Sequence, residues 1–175
     1  MIRFTKIPAG KEEVEYLTRK KMAITQRHIY GWRMEQLLQP RLEEILGEKL
    51  VKTQDRYATR DFNSESSTWK IEGKSRPQMS EKGFVQDHYT YDSFLMPVHK
   101  GHKMTDEDKL IFFYHFERSD SLWFIPYQVD LFKTFKQGIP KGSSYLHWYI
   151  PKENWIRLEE GDKIIYDEDG ICLIR

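Results

Sequence analysis

Residues 56–76 predict two adjacent strands, and this pair constrains the fold more than any other part of the chain. Residues 68–76 contain β-branched and aromatic side chains and are followed by Pro77, which is typical of a strand and its end. Residues 56–62 also have strand character, and the polar residues 63–67 between the two segments indicate a turn. The chain is therefore expected to form an antiparallel hairpin here.

Three charged side chains of this hairpin can converge. Successive side chains of a strand point to opposite faces, so Glu72 and Lys74 are neighbours on one face. Asp61 stands eleven positions before Glu72, near the end of the first strand, and antiparallel pairing can bring it beside the second. Two carboxylates and a lysine can hold a divalent cation and a water nucleophile beside a phosphate, as metal-assisted phosphodiester hydrolysis requires. The sequence leaves the register of the pairing open.

Residues 31–47 predict a helix that ends at Gly47, because apolar residues recur at positions 34, 38, 42, 45 and 46. At about 100° per residue, Glu35 falls within the apolar arc of this helix. A buried carboxylate is costly unless it is paired or bound to a metal. Two explanations therefore stay open: Glu35 joins the site, or it pairs with Arg27 or Arg33.

The second half of the chain predicts further strands around a basic segment. Aromatic and β-branched runs bounded by turn residues are typical of strands and hairpins. The expected elements are a strand at 91–98, a basic segment at 99–103, a hairpin of 110–116 and 121–126, and a strand at 147–152.

Asp61 and the Glu72-X-Lys74 motif, on adjacent strands after an acid-bearing helix, resemble the PD-(D/E)XK nuclease superfamily. Arg60 stands where the superfamily's name has proline, a position that varies widely among its members. The later elements are similar in order to those of small phage-type and virus-type members, with 147–152 as the closing strand. The resemblance covers roughly residues 28–158. It implies an α/β fold with a central mixed β-sheet, flanking helices and a restriction-endonuclease-like αβββαβ core.

The resemblance also implies a deoxyribonuclease that depends on Mg²⁺ or Mn²⁺. Asp61 and Glu72 would ligate the cation with the main-chain carbonyl of Gly73, and Glu35 would join them directly or through water. Lys74 would orient or deprotonate the attacking water and stabilise charge in the transition state. Basic residues outside this centre are candidates for phosphate contacts: Arg27, Arg33, Arg76, Lys100 and Lys103.

Length and composition indicate one soluble domain. The 175 residues lie within the single-domain range, and an aromatic fraction of 14% excludes a disordered chain although 31% of the residues are charged. A basic helical extension is expected at 10–27 and an acidic strand pair at 156–175. Without a long apolar run or a signal-peptide core, an intracellular protein is expected, in the cytoplasm or in a host cell, with DNA as partner and no membrane. Related nucleases often dimerise to cut both strands, so a homodimer is also open.

Three other functions fit the same sequence. A non-catalytic nucleic-acid-binding or assembly module could keep the fold if Asp61 and Glu72 lay too far apart to share a metal. An RNA endonuclease of the cap-snatching type would have a related fold, and His28 is the only candidate for the histidine that such enzymes usually add on the early helix. In an unrelated globular protein, the same charges would form surface ion pairs worth at most about 1 kcal/mol.

Several other chemistries find no support in the sequence. The chain has no phosphate-binding loop of the P-loop type, no dinucleotide-binding glycine motif and no Gly-X-Ser-X-Gly nucleophile motif. His99 and His102 have a spacing that zinc ligands can have, but no third ligand lies nearby in the sequence, so zinc binding is not expected. The single Cys172 excludes an intramolecular disulfide and is expected as a small apolar residue of the last strand.

Overall fold

A computed structural model describes residues 26–54, 60–76 and 93–175, together with the helical positions Lys11, Glu15 and Thr18. The predicted extension at 10–27 lies largely outside these residues. Within the described part, the α-helices are α1 (Gln26–Leu46) and α2 (Val129–Lys133). The strands are β1 (Leu50–Lys52), β2 (Phe62–Ser64), β3 (Lys70–Arg76), β4 (Ser93–Pro97), β5 (Leu110–Phe116), β6 (Ser121–Pro126), β7 (Lys136–Gly138), β8 (His147–Pro151), β9 (Ile156–Leu158), β10 (Lys163–Asp167) and β11 (Gly170–Ile174). One-turn 3₁₀ helices lie at Val98–Lys100, Asp106–Asp108 and Lys152–Asn154.

Helix α1 confirms the predicted helix but begins five residues earlier, at Gln26. It ends where expected, because Gly47 has a φ of 66°, a conformation that glycine adopts at little cost. Pro40, whose position predicts a kink or a break, lies inside the continuous helix. Pro40 and Gln36, the residue four positions earlier, are both exposed, so water can satisfy the carbonyl that the proline leaves without its usual donor. No helix in the described part of the chain is long and apolar enough to cross a membrane.

The predicted hairpin is present, and β3 confirms its second strand. The partner strand β2, at Phe62–Ser64, begins at the last residue of the predicted first strand and extends into the predicted turn. Residues 55–59 lie outside the described part of the chain. The turn accordingly lies at 65–69, and Ser64 closes it by accepting a bond from the Trp69 amide on its hydroxyl at 2.8 Å. The Ser64 amide donates in return to the Trp69 carbonyl at 3.0 Å.

A six-stranded sheet forms the centre of the fold, in the order β1-β2-β3-β5-β6-β9. β3 and β5 run parallel, from Lys70 opposite Leu110 to Arg76 opposite Phe116. All other neighbours in this sheet are antiparallel. The sheet is therefore mixed, and the expectation of an α/β protein with a central mixed sheet is confirmed.

A second, antiparallel sheet has the order β4-β8-β7, and β10 and β11 form a separate hairpin. The predicted strand at 147–152 appears as β8, but the expectation that it closes the central sheet is wrong, because it pairs with β4 and β7. β9 lies at that edge of the central sheet instead. The C-terminal strand pair is consequently shorter than 156–175, since only β10 and β11 pair with each other.

Both faces of β5 are buried, and this requires a covering layer on each side of the central sheet. Ile111 and Phe113 pack with α1 and the C-terminal hairpin in one core. Phe112 and Tyr114 pack against the second sheet in the other core. Since β3 runs parallel to β5 and pairs Glu72 with Phe112, the Glu72 side chain lies on the face that the second sheet covers.

Candidate active site

Asp61 lies opposite Glu72 at the point where the β2–β3 ladder ends. The pairing of Phe62 with Ile71 continues by one step, because the Asp61 amide donates to the Ile71 carbonyl at 2.8 Å. The Asp61 Oδ2 atom then accepts a hydrogen bond of 2.8 Å from the Gly73 amide. Beyond this point β3 has no ladder partner on the β2 side among the described residues, so the carboxylate takes the place of a strand carbonyl. The register that the sequence left open therefore brings the two acids together.

Glu72 is a buried carboxyl group with an unused oxygen. The residue is only 3% exposed, and its Oε1 accepts a bond of 2.9 Å from Lys100 Nζ. Its Oε2 is buried without a hydrogen-bond partner in the described part of the chain. Burial, and next the negative charge of Asp61, raises the pKa of Glu72 to about 8, although the charges of Lys100 and Lys74 act in the opposite direction. A cation bound at this point would remove the cost of ionising Glu72.

Lys100 lies within the site, where its ammonium group contacts Glu72, and the phosphate contact that the sequence predicts for it stays a prediction. It lies at the end of the 3₁₀ helix Val98–Lys100, which follows β4 directly. Burial lowers the pKa of Lys100, but the charges of Glu72, Asp61 and Glu35 and the hydrogen bond to Glu72 together raise it above its ordinary value. Local sequence shows a basic segment here, whereas its inward direction depends on how β4 packs against the central sheet.

Glu35 of α1 forms an ion pair with Lys52 of β1. The Arg27 side chain lies outside the described part of the structure, so the pairing of Glu35 with Arg27 or Arg33 stays a prediction beside the ion pair with Lys52. The Lys52 side chain is only 12% exposed and its Nζ lies 5.6 Å from the centre of the Trp32 ring. The charge of Glu35 also contributes to the raised pKa of Lys100, so the two ion pairs belong to one electrostatic cluster.

Lys52 is the site residue that sequence reasoning missed. β1 has only three residues, with Leu50 buried, Val51 exposed and Lys52 partly buried. A strand that alternates in this way points its third side chain in the same direction as its first. The alternation from Leu50 to Lys52 could have predicted that the lysine points inward, but a strand of three residues is hard to recognise from sequence alone.

The other predicted residues have different surroundings. Lys74 is half-buried on the Glu72 face of β3, close enough for its charge to lower the pKa of Glu72. Arg76 lies further along the same face and donates from Nε to the Tyr114 hydroxyl at 2.7 Å, so Tyr114 holds it in place. Lys103 is exposed, and Arg33 is half-buried on α1. The backbone of Arg27 belongs to α1, and its side chain lies outside the described part of the structure.

The residues present fit one hard cation better than a metal cluster. In the described part of the chain, no three His, Cys, Asp or Glu side chains form a group that could hold a metal ion. Asp61 and Glu72, whose Oε2 atom is unused, nevertheless suit Mg²⁺, because this ion is often held by one or two carboxylates and keeps several waters. Glu35 is engaged with Lys52 and fits a role through water. In comparisons with protein families, curated proteins and solved structures, none matches this chain.

Proposed function

We propose that the protein is a nuclease of the PD-(D/E)XK type that hydrolyses DNA phosphodiester bonds with Mg²⁺ or Mn²⁺. The observation that carries the proposal is the pairing of Asp61 with the buried Glu72, next to Lys74 on the same strand face. If Glu72 only formed a structural ion pair with Lys100, Asp61 beside it would be unfavourable, because its negative charge makes ionisation of Glu72 harder. A site that binds a divalent cation, in contrast, needs the negative charge of both carboxylates.

Asp61 and Glu72 would hold the cation, with the Gly73 carbonyl beside them and Glu35 acting through water. When bound, the cation would supply Lewis-acid stabilisation of the phosphate and a more acidic water. Lys74 would position the attacking water through its Nζ atom and take up or share the proton as the water oxygen bonds to phosphorus. The bond from phosphorus to the departing sugar oxygen would break, and that oxygen would take a proton from solvent.

The order of elements supports this assignment. A helix bearing Glu35 precedes three strands, the third of which carries Glu72 and Lys74. β5 then lies parallel to β3, as expected of a mixed sheet whose later strand arrives by a crossover. We propose the restriction-endonuclease-like αβββαβ core together with the nuclease activity.

The Lys100–Glu72 ion pair favours a second candidate, a non-catalytic nucleic-acid-binding module with a nuclease-like fold. Lys100 gives Glu72 a cationic partner at 2.9 Å from within the chain. A protein that had lost its metal could be stabilised by such an internal charge, because a buried carboxylate needs a partner. In the nuclease, a divalent cation can replace or join the Lys100 ammonium group at Glu72. In the non-catalytic module it cannot.

Nuclease assays with matched variants test the proposal. Supercoiled plasmid, linear duplex, single-stranded DNA and RNA are incubated with the protein in Mg²⁺, Mn²⁺ or EDTA. Asp61→Asn and Lys74→Ala should each lower the cleavage rate by about 100-fold or more. Lys70→Ala changes a partly buried lysine that pairs with Asp108 instead of Glu72, four positions before Lys74 on the same strand face. This variant and Glu65→Gln in the exposed turn should leave the rate within about threefold of the parent.

The outcomes separate the candidates. Cleavage that persists in EDTA, or in both Asp61→Asn and Lys74→Ala, would overturn the assigned site. Absence of cleavage on all four substrates, together with no heat of Mn²⁺ binding by calorimetry, would favour the non-catalytic module. Cleavage of RNA alone would change the substrate from DNA to RNA and leave the site assignment standing.

A further inference from the structure

The second sheet is built from segments that contain no acidic residue. Residues 93–105 and 131–152 include β4, β7 and β8 and contain no Asp or Glu. They hold six of the lysines of a chain whose net charge is only +1: Lys100, Lys103, Lys133, Lys136, Lys141 and Lys152. These segments therefore carry six positive charges and no negative ones, although Lys100 pairs with Glu72 and Lys133 with Asp130 from outside them. A layer with this balance of charge is suited to contact phosphates.

The loop between β7 and β8 exposes apolar side chains within this basic layer. Ile139 is 62% exposed and Tyr145 is 61% exposed, and Leu146 beside it is also exposed. Lys141 lies between them in the loop and is exposed as well. Lysines alone would be enough to contact a phosphate backbone, so the exposed ring and aliphatic groups indicate a ligand that also has apolar faces.

This loop lies next to the proposed active site. The Val98 amide donates to the Leu146 carbonyl at 2.9 Å, and the His99 ring lies 5.2 Å from that of Tyr145. Lys100, the next residue, binds Glu72. Partial burial lowers the pKa of His99, and the charges of Lys100 and Lys74 lower it further, which shows that the neutral-favoured His99 ring lies close to these two cations of the site. The consecutive residues 98–100 therefore connect the 139–146 loop to the pair of Asp61 and Glu72.

We propose that the second sheet and its 139–146 loop bind a single-stranded nucleic acid segment, with an unstacked base on the Tyr145 ring and phosphates along the lysines. Single strands expose the faces of their bases, and proteins bind them by combining a basic surface with aromatic side chains. A duplex offers phosphates but keeps its base faces stacked, so it leaves the exposed ring and Ile139 without a counterpart. The position of the strand beside Glu72 rests on the proposed function, whereas the binding itself does not.

Binding to the full chain is measured in EDTA, where the proposed nuclease cannot act. The probe is a fluorescein-labelled 12-nucleotide oligothymidylate, compared by anisotropy with a duplex of the same length. Tyr145→Ala should weaken binding of the single strand by about 5- to 100-fold, because stacking on one aromatic ring has this magnitude. Tyr145→Phe, which keeps the ring, should bind within about twofold of the parent, since every base can stack on it.

Two controls fix the location of the site. Tyr166 is a tyrosine of β10, 47% exposed and next to Lys109, and Tyr166→Ala should leave binding unchanged. The double variant Lys136→Ala/Lys141→Ala should reduce the slope of log Kd against log salt by about 1.4, since each single-strand phosphate contact contributes about 0.7. Thermal unfolding of each variant verifies that it is folded.

Three results would overturn the inference. They are unchanged binding by Tyr145→Ala, equal losses in Tyr145→Ala and Tyr166→Ala, or duplex binding as tight as single-strand binding. Competition by oligoglutamate at the same charge concentration as the oligonucleotide would point to acidic protein segments and would also overturn it. Retained single-strand binding in a protein that cleaves nothing would uphold this inference while the proposed nuclease function fails.

Discussion

Replacing Lys100 by methionine should leave the Glu72 carboxyl group buried without its ammonium partner. The two charged atoms lie 2.9 Å apart, and the side chains are 21% and 4% exposed. At an effective dielectric constant of about 20, the attraction between two charges at this distance is about 6 kcal/mol. Desolvation offsets most of that attraction, but removal of one partner of a buried pair costs about 3–5 kcal/mol because the other charge stays buried.

The cost should depend on pH, because Glu72 can avoid its charge by binding a proton. Its pKa is raised to about 8 by burial and by Asp61, whereas an unfolded glutamate has a pKa of about 4.3. Between these values the folded state binds more protons than the unfolded state, so the free energy of unfolding falls as pH rises. The charge of Lys100 lowers the pKa of Glu72, so its loss should raise this pKa further. The free energy of unfolding of the variant should therefore continue to fall above pH 8. We expect Lys100→Met to cost about 1–2 kcal/mol at pH 6 and about 3–5 kcal/mol at pH 9.

A double-mutant cycle with Glu72→Gln measures the pair directly. Urea unfolding in EDTA, followed by tryptophan fluorescence, should give a coupling energy of about 2 kcal/mol or more at pH 9. The pair of Lys70 and Asp108, whose side chains are 24% and 27% exposed and which involves the same strand, is the control and should couple by about 1 kcal/mol or less at both pH values. Additivity of Lys100→Met and Glu72→Gln to within about 0.5 kcal/mol at pH 9 would refute the reasoning.

Two further pairs of variants test other parts of the structure. Glu35→Gln should destabilise the protein by about 2–4 kcal/mol in urea unfolding, because the Lys52 side chain, only 12% exposed, would lose its ion pair with Glu35. Glu44→Gln, exposed on the same helix, should change stability by less than about 0.5 kcal/mol, and equal effects of the two substitutions would contradict the burial argument. Gly47→Ala should cost about 1 kcal/mol because of its positive φ. Gly31→Ala, inside the same helix with no neighbour within 4 Å of the added Cβ atom, should stabilise the protein by about 0.5–1 kcal/mol, so the signs of the two changes in melting temperature must differ.

The parts of the site that were predictable obey local periodicity. Glu72 and Lys74 lie on one face because side chains alternate along any strand, and Glu35 lies near the apolar arc because the helix repeats every 3.6 residues. Hydrophobic pattern likewise located β5 and β6, since every residue of β5 is buried. These features need no information about distant parts of the chain.

The remaining features depend on contacts that are distant in sequence. The register that places Asp61 opposite Glu72 is carried by a ladder of only two residue pairs and a turn, neither of which a hydrophobic pattern defines. Lys100 turns inward because the second sheet packs on β5, and Lys52 turns inward because β1 pairs with β2 beneath α1. Local sequence reveals the charge of such lysines but not their direction.

The parallel pairing of β3 with β5 also has a consequence for the order in which the molecule folds. The β2–β3 hairpin closes a short loop, whereas the β3–β5 pair joins Lys70 to Leu110 across forty residues. Longer loops cost more entropy to close, so non-local strand pairs tend to form later. We therefore expect Asp61 and Glu72 to meet in the hairpin before Lys100, which lies in the long crossover, reaches them. The step that closes this crossover would then bring a cation to two carboxylates already in place, and its rate should depend on their protonation as well as on chain topology.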